Sequence, residues 1–307
     1  MSLRCQIVIP ARLASTRLPE KLLRRAGGKS VLQHTYEAAS RSSLADDVIV
    51  AVDDARLADE VDAFQGRWMM TSVDCPSGTD RIAEVAQAMP DVDLFVNVQG
   101  DEPEIAADAI DLVAQALIDD PVAQMSTVGT PIRDRDTLED PSCVKIVMGG
   151  NSPGNQFPQA LREAQSTGAG QSAGSGQGVG TEKAVGTEKA VSTEQAAGPG
   201  QGRAANFQRA IYFSRSVVPH PRDGITDELL ALEPPVFWHH LGLYAYRREF
   251  LKWFASHPPS LLEQTERLEQ LRAIQAGQVI AVARVESATP GIDTQADLDA
   301  FIERLSA

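Results

Sequence analysis

Apolar residues recur in two rhythms along this chain. Continuous runs over Cys5–Ile9, Val48–Val52 and Leu94–Val98 read as fully buried strands. Between them, Ala55–Phe64 and Gly78–Met89 carry apolar residues at helical spacing. Ala106–Ile118 does the same ahead of a strand at Gln124–Gly129. Ser30-Val-Leu-Gln33 has the form of a capping box and places a helix start at Ser30. Such alternation predicts an α/β fold with a mostly parallel sheet sandwiched by helices.

From Gly149 to Asn206 both rhythms stop. The stretch is rich in Gly, Ala, Gln, Ser and Thr, and no aromatic residue lies between Phe157 and Phe207. The hexapeptide Gly180–Val185 is repeated at once as Gly186–Val191, a unit too short and too polar for a solenoid. A segment of this kind buries too little apolar surface to offset its ordering entropy, so residues 150–206 are expected to be a disordered insertion. A partner-binding segment is the competing reading. Pattern returns with strands at Ala210–Phe213, Trp238–Tyr246 and Val279–Val285. Helices are expected at Arg248–Ser256 and Leu261–Ala276, with a last one from Thr294, where Thr294-Gln-Ala-Asp297 forms another capping box. Neither flank has a complete set of strands and covering helices, so 1–149 and 207–307 are expected to build one domain between them.

Composition narrows the function classes. The chain has 307 residues, of which 43% are hydrophobic, enough for a large core. A formal net charge of -14 argues against a nucleic-acid partner, which calls for a basic face. It leaves room for a nucleotide in a local cationic pocket. Cys5, Cys75 and Cys143 are odd in number and lack zinc-like spacing, which fits a reduced cytoplasmic protein. No run of 18 apolar residues and no signal-peptide layout is present, so no membrane insertion is expected.

Candidate chemistry sits where the strands end. After the first strand, Pro10-Ala-Arg-Leu-Ala-Ser-Thr-Arg-Leu-Pro-Glu-Lys21 brings Arg12, Arg17 and Lys21 together with small residues. Cations and backbone N–H groups at the carboxyl end of a parallel strand suit a triphosphate; plain surface solvation is the bland alternative. Val96-Asn-Val-Gln-Gly-Asp-Glu-Pro103 ends a strand in Asp101, either a Mg2+ ligand or a turn cap. Asp293, in Gly291-Ile-Asp-Thr294, directly precedes a helix, where it would favour the dipole or supply a second metal carboxylate. Ser77 and Gly78 open a helix whose N-terminus can hold an anion or a base edge, with Arg81 one turn in. Alternation over Phe237–Tyr246 puts His240, Gly242, Tyr244 and Tyr246 on one face. Leu268-Glu-Gln-Leu-Arg272 places Glu269 and Gln270 on a helix, in the bland reading a solvated one.

These motifs, with Tyr212-Phe-Ser-Arg215 and His240-Leu-Gly-Leu-Tyr244, make seven whose order along the chain resembles the 3-deoxy-manno-octulosonate cytidylyltransferase (CMP-Kdo synthetase) family. The resemblance runs from Gln6 to about Ile302, broken only by the insertion. It implies a nucleotide-diphospho-sugar transferase (Rossmann-like) fold, a cytoplasmic homodimer, and Mg2+-dependent transfer of CMP from CTP to 3-deoxy-D-manno-octulosonate (Kdo) for lipopolysaccharide synthesis. It implies that residues 1–149 bind the nucleotide and that 207–307 bind the sugar and make dimer contacts. Carried onto matching positions, Arg12, Arg17 and Lys21 hold the CTP phosphates, and Ala11, Ser77 and Arg81 help place the nucleotide. Asp101 and Asp293 become the Mg2+ ligands. Gln99, His240, Tyr244, Glu269 and Gln270 hold the sugar acid. Two features depart from the family: Cys75 stands where it has His, and the insertion replaces a short turn. Alternatives are another acidic sugar or another nucleotide, a non-catalytic nucleotide-binding protein on the same fold, and an interaction protein tethered through the repeats.

Overall fold

In β1 (Cys5–Ala11) successive side chains point to opposite faces of a sheet that is covered on both sides. Ile7 and Ile9 join one core while Val8 joins the other. The same division holds for β4 (Asp47–Val52), with Val50 and Val52 on the first side and Ile49 and Ala51 on the second. Helices Val31–Ala39, Ala55–Ala63, Ala107–Asp119 and Gln295–Ser306 cover the first core. Helices Gly78–Ala88, Arg248–Ser256 and Gln270–Gln275 cover the second. These relations come from a computed structural model that describes residues 3–149 and 207–306. The expected disorder over 150–206 lies outside the described residues.

Beside β1 and β4 the sheet contains β5 (Trp68–Met70), β6 (Leu94–Asn97), β7 (Met125–Pro131), β8 (Lys145–Gly149), β9 (Phe207–Ser214), β10 (Trp238–Arg247) and β11 (Ile280–Arg284). Its nine strands run in the order β5-β4-β1-β6-β10-β7-β11-β9-β8. Only β9 and β10 run against the other members, so the sheet is mostly parallel as expected. Strands of the second flank, β10 and β11, pair with β6 and β7 of the first, and the two flanks share one sheet. A separate hairpin of β2 (Arg25–Ala26) and β3 (Lys29–Ser30) turns through Gly27 and Gly28, both at positive φ.

This order places the site. From β1 the chain steps outward through β4 to β5, then returns to the other side of β1 as β6. The connections therefore diverge between β1 and β6, and ligands bind in such a crevice beyond the carboxyl ends of the strands. The ladder to β6 ends at Val8 opposite Asn97, so Pro10 costs no hydrogen bond there. β1, β4, β6 and β11 point the same way, so the segments carrying Arg12–Lys21, Asp53, Asp101 and Asp293 all leave from one end of the sheet.

Local expectations fare unevenly. Ser30 Oγ accepts the Gln33 N–H at 3.0 Å, but the Gln33 side chain reaches forward to Glu37 instead of closing the box. The Thr294 box does close, because Asp297 Oδ2 accepts the Thr294 N–H at 2.7 Å and Thr294 Oγ1 accepts the Asp297 N–H at 3.3 Å. The single helix expected over Leu261–Ala276 is instead two, Leu261–Glu266 and Gln270–Gln275. Between them Arg267 turns into the left-handed region at φ 56. β10 carries a bulge where Leu241 opposes Val128 and Tyr244 opposes Thr127. Two extra residues preserve the alternation, so His240, Gly242, Tyr244 and Tyr246 still line one cavity.

Candidate active site

The loop after β1 is held from below before any ligand arrives. Asp53, at the end of β4, accepts the Leu13 N–H at 3.0 Å through one oxygen. Its other oxygen lies 3.3 Å from Arg81 NH2. Arg81 also donates to Thr71 Oγ1, and its side chain is 0% exposed. Arg81 sits beneath the loop and fixes it through Asp53, an indirect position from which it would help place a nucleotide. Burial, the largest influence, holds its guanidinium below the usual value, partly offset by Asp53. Arg12 spans the other side, donating to the Cys75 carbonyl at 2.8 Å. Because that contact uses backbone, Cys75 in place of His leaves it intact. The Cys75 thiol donates to Glu84 at 3.2 Å, and burial followed by Glu84 pushes its pKa up to about 11. Ala11 is buried at the end of β1, and Ser77 caps its helix by accepting the Asp80 N–H at 3.2 Å.

Asp101 and Asp293 meet at Lys21. Lys21 Nζ donates to Asp101 Oδ2 and, at 2.9 Å, to Asp293 Oδ1, which Arg17 also contacts at 2.8 Å. Burial alone would lower the lysine, but the two carboxylates outweigh it and hold its pKa above the ordinary value. The segments are joined by backbone too, with the Ile292 N–H donating to the Asp101 carbonyl at 2.8 Å. Neither aspartate follows its bland reading. Helix Ala107–Asp119 starts at Ala106 without a side-chain cap, so Asp101 caps nothing there. At the last helix Asp297 performs the capping and even accepts the Asp293 N–H at 3.0 Å, which leaves the Asp293 carboxylate turned to the cations. Close approach favours glycine in the turn at Gly100, where a Cβ would lie 3.2 Å from the Pro10 carbonyl and 3.3 Å from Leu22. Glu102 turns away into a separate cavity of about 200 Å³, where burial and then Asp101 push its carboxyl to about 8.

A cavity of about 350 Å³ opens beside this cluster, and Gln99, His240, Tyr244, Glu269 and Gln270 all line it. The bland reading of a solvated helix face for Glu269 and Gln270 does not hold, because Gln270 is buried and Glu269, at the start of the second short helix, lines the cavity. Gln270 Nε2 is buried with no hydrogen-bond partner among the described residues. His240 Nε2 lies 3.0 Å from Thr127 Oγ1. Burial, then His239, lowers the His240 pKa to about 3, so the ring is neutral in ordinary conditions. Burial raises Glu269. Arg272 anchors this wall by pairing with Glu263 at 2.6 and 2.8 Å and donating to the Phe254 and His257 carbonyls.

The sequence did not disclose Asp53 or Glu84, since acids after a strand or on a helix are ordinary surface features. Their shared signal is position, each facing a motif that carries cations. No group of three or more metal-binding side chains occurs among the described residues, so any metal would rest on a carboxylate pair plus ligand oxygens. The three cysteines are free and buried, and no helix among the described residues is long and apolar enough to cross a membrane.

Comparison with known proteins places this geometry. The cytidylyltransferase family model matches residues 6–280. A 3-deoxy-manno-octulosonate cytidylyltransferase of Rhodopirellula baltica is 51% identical over 305 residues, covering 99% of this chain and 100% of that protein. One from Leptospira interrogans is 36% identical over 96% of this chain and 94% of its own length. A solved CMP:2-keto-3-deoxy-manno-octonic acid synthetase complexed with CTP superposes with a TM-score of 0.73 at 32% identity, covering 99% of this chain and 98% of that one. A 4-diphosphocytidyl-2C-methyl-D-erythritol synthase of Anaerococcus prevotii, at 12% identity and a TM-score of 0.53, shares the fold. With the family model, the full-length relatives and the fold in agreement, the chain belongs to the 3-deoxy-manno-octulosonate cytidylyltransferase family of nucleotidyltransferases.

Proposed function

We propose that the protein transfers CMP from CTP to Kdo, with Asp101, Asp293 and Lys21 at the centre of the reaction. The observation that carries this reading is the meeting of both aspartates at Lys21, next to a cavity lined by every residue assigned to the sugar. Asp101 and Asp293 would hold Mg2+. Two hard carboxylates that already bind one cationic atom, joined by triphosphate oxygens, have the donor chemistry that ion prefers. When bound, the ion would neutralise phosphate charge as it builds up during transfer.

The chain's own groups divide the remaining work. Arg12, Arg17 and Lys21 hold the phosphate oxygens, and the Asp53–Arg81 pair keeps their loop in place. Gln99, Gln270, neutral His240 and Tyr244 orient the sugar so that its anomeric hydroxyl faces the α-phosphorus. In-line attack forms the new P–O bond and breaks the bond to the β-phosphate, releasing pyrophosphate, while the hydroxyl proton passes to water. Charge stabilisation and positioning supply most of the acceleration in such a transfer. The homodimer and the cytoplasmic setting implied by the family resemblance belong to the same proposal, and sedimentation equilibrium tests the first. Incubation of the purified protein with CTP, Kdo and Mg2+ should give CMP-Kdo by mass spectrometry, with UTP and dTTP as nucleotide controls and a sialic acid as acceptor control. Absence of CMP-Kdo would refute the reading.

A further inference from the structure

The sugar assigned to the cavity is an acid, yet the cavity wall carries almost no positive charge. Its ionisable lining residues are His240, Tyr244, Tyr246, Glu269 and Arg267. The histidine is buried and neutral, the tyrosines are neutral, and Glu269 has the sign of the substrate. Lys21, Arg12 and Arg17 do not line the cavity and are engaged by the two aspartates and the Cys75 carbonyl. Arg272 is consumed by Glu263. One cation, Arg267, remains at the wall, and no carboxylate among the described residues pairs with its guanidinium.

We propose that Arg267 receives the carboxylate of the acidic sugar and sets the preference for acidic over neutral acceptors. The inference rests on the reading of the cavity as the acceptor site. A guanidinium presents a planar fork that matches a carboxylate with two parallel hydrogen bonds.

The backbone has been shaped to hold this residue. Arg267 occupies the left-handed region at φ 56, which non-glycine residues seldom adopt and which persists only where surrounding contacts enforce it. Those contacts are present. Arg215 Nε donates to the Glu266 carbonyl at 2.7 Å, and its NH2 reaches the Arg267 carbonyl at 3.5 Å. The Glu266 carboxylate accepts the Ser214 hydroxyl at 2.7 Å and the Arg215 N–H at 3.0 Å. The end of β9 thus clamps the turn between the two short helices from both its backbone and its side chain. Continuing the first helix would remove Arg267, Leu268, Glu269 and Gln270 from the positions at which all four line the cavity.

The test compares wild type, Arg267→Gln and Arg267→Lys at saturating CTP, with Kdo and its uncharged C1 amide as acceptors. Arg267 is exposed, and circular dichroism and thermal melts check that the variants fold. Arg267→Gln should raise the KM for Kdo about thirtyfold, as expected for loss of a charge-assisted hydrogen bond, with kcat and the KM for CTP within about threefold. The acid-to-amide ratio of kcat/KM should fall by the same factor, and Arg267→Lys should recover part of it. A role limited to shaping the wall would weaken acid and amide equally, and that result overturns the proposal. An unchanged KM for Kdo in Arg267→Gln, with wild type active, overturns the Arg267 assignment alone. A wild type that makes no CMP-Kdo overturns both this inference and the reading beneath it.

Discussion

Lys21 Nζ lies 2.9 Å from Asp293 Oδ1, across 272 residues of sequence, and the same atom holds Asp101. The lysine keeps two carboxylates together that would otherwise repel each other at the mouth of the proposed triphosphate site. Lys21→Gln should therefore lower the melting temperature of the ligand-free protein and reduce turnover by ~10²-fold. Added Mg2+ should raise the melting temperature more in the variant than in wild type, because the ion takes over the neutralising role. Differential scanning fluorimetry with and without Mg2+ reads this, and equal shifts would count against a shared cation site.

Gln270 shows how much of the cavity was legible beforehand. The motif Leu268–Arg272 pointed to the residue, but its helical setting suggested solvent. The break at Arg267 that turns it inward has no Gly or Pro to announce it. It is imposed by Ser214 and Arg215 at the end of β9, which donate to the Glu266 carboxylate and carbonyl, contacts between segments about 50 residues apart. Local pattern cannot carry such information. For the same reason Asp53 went unnoticed, since its importance lies in what it touches, Leu13 and Arg81. The strands and their mostly common direction were readable, because continuous apolar runs are local properties; the joint role of Asp101 and Asp293 came from the family resemblance.

The unpaired Gln270 Nε2 gives a second prediction. Gln270→Leu removes a buried donor that has no hydrogen-bond partner among the described residues, so the free protein should be as stable as wild type or more so. The KM for Kdo should rise about tenfold for loss of one buried hydrogen bond. Urea unfolding and steady-state kinetics test the two halves separately.

His240 gives a pH signature. Its pKa falls from the usual 6.5 to about 3 on folding. Between these values the unfolded chain binds a proton that the folded one does not, so stability rises with pH across this window and is lost as pH falls through it. The contribution is at most about 1.4 kcal/mol per pH unit. His240→Gln should flatten the urea midpoint between pH 4 and 6.5, with no compensating change above pH 7. A slope equal to that of wild type would mean that the ring is charged in the folded protein.

β8 and β9 pair antiparallel, with Gly149 opposite Arg209. The described strands that flank 150–206 are therefore hairpin partners, and a hairpin turn is long enough to join them. Replacing residues 150–205 with a short Gly/Ser turn should leave kcat within about twofold and folding intact, because closing a shorter loop costs little. A folded but inactive product would assign the segment a direct part in the reaction.

The central claim is that Asp101 and Asp293 act together on the transferring phosphate, and pyrophosphate release by Asp101→Asn and Asp293→Asn tests it most directly. With saturating CTP, Kdo and Mg2+, each variant should lose at least ~10²-fold in turnover, and the double variant little more, as expected of groups that act as one unit. Near-wild-type release by both single variants would contradict the account.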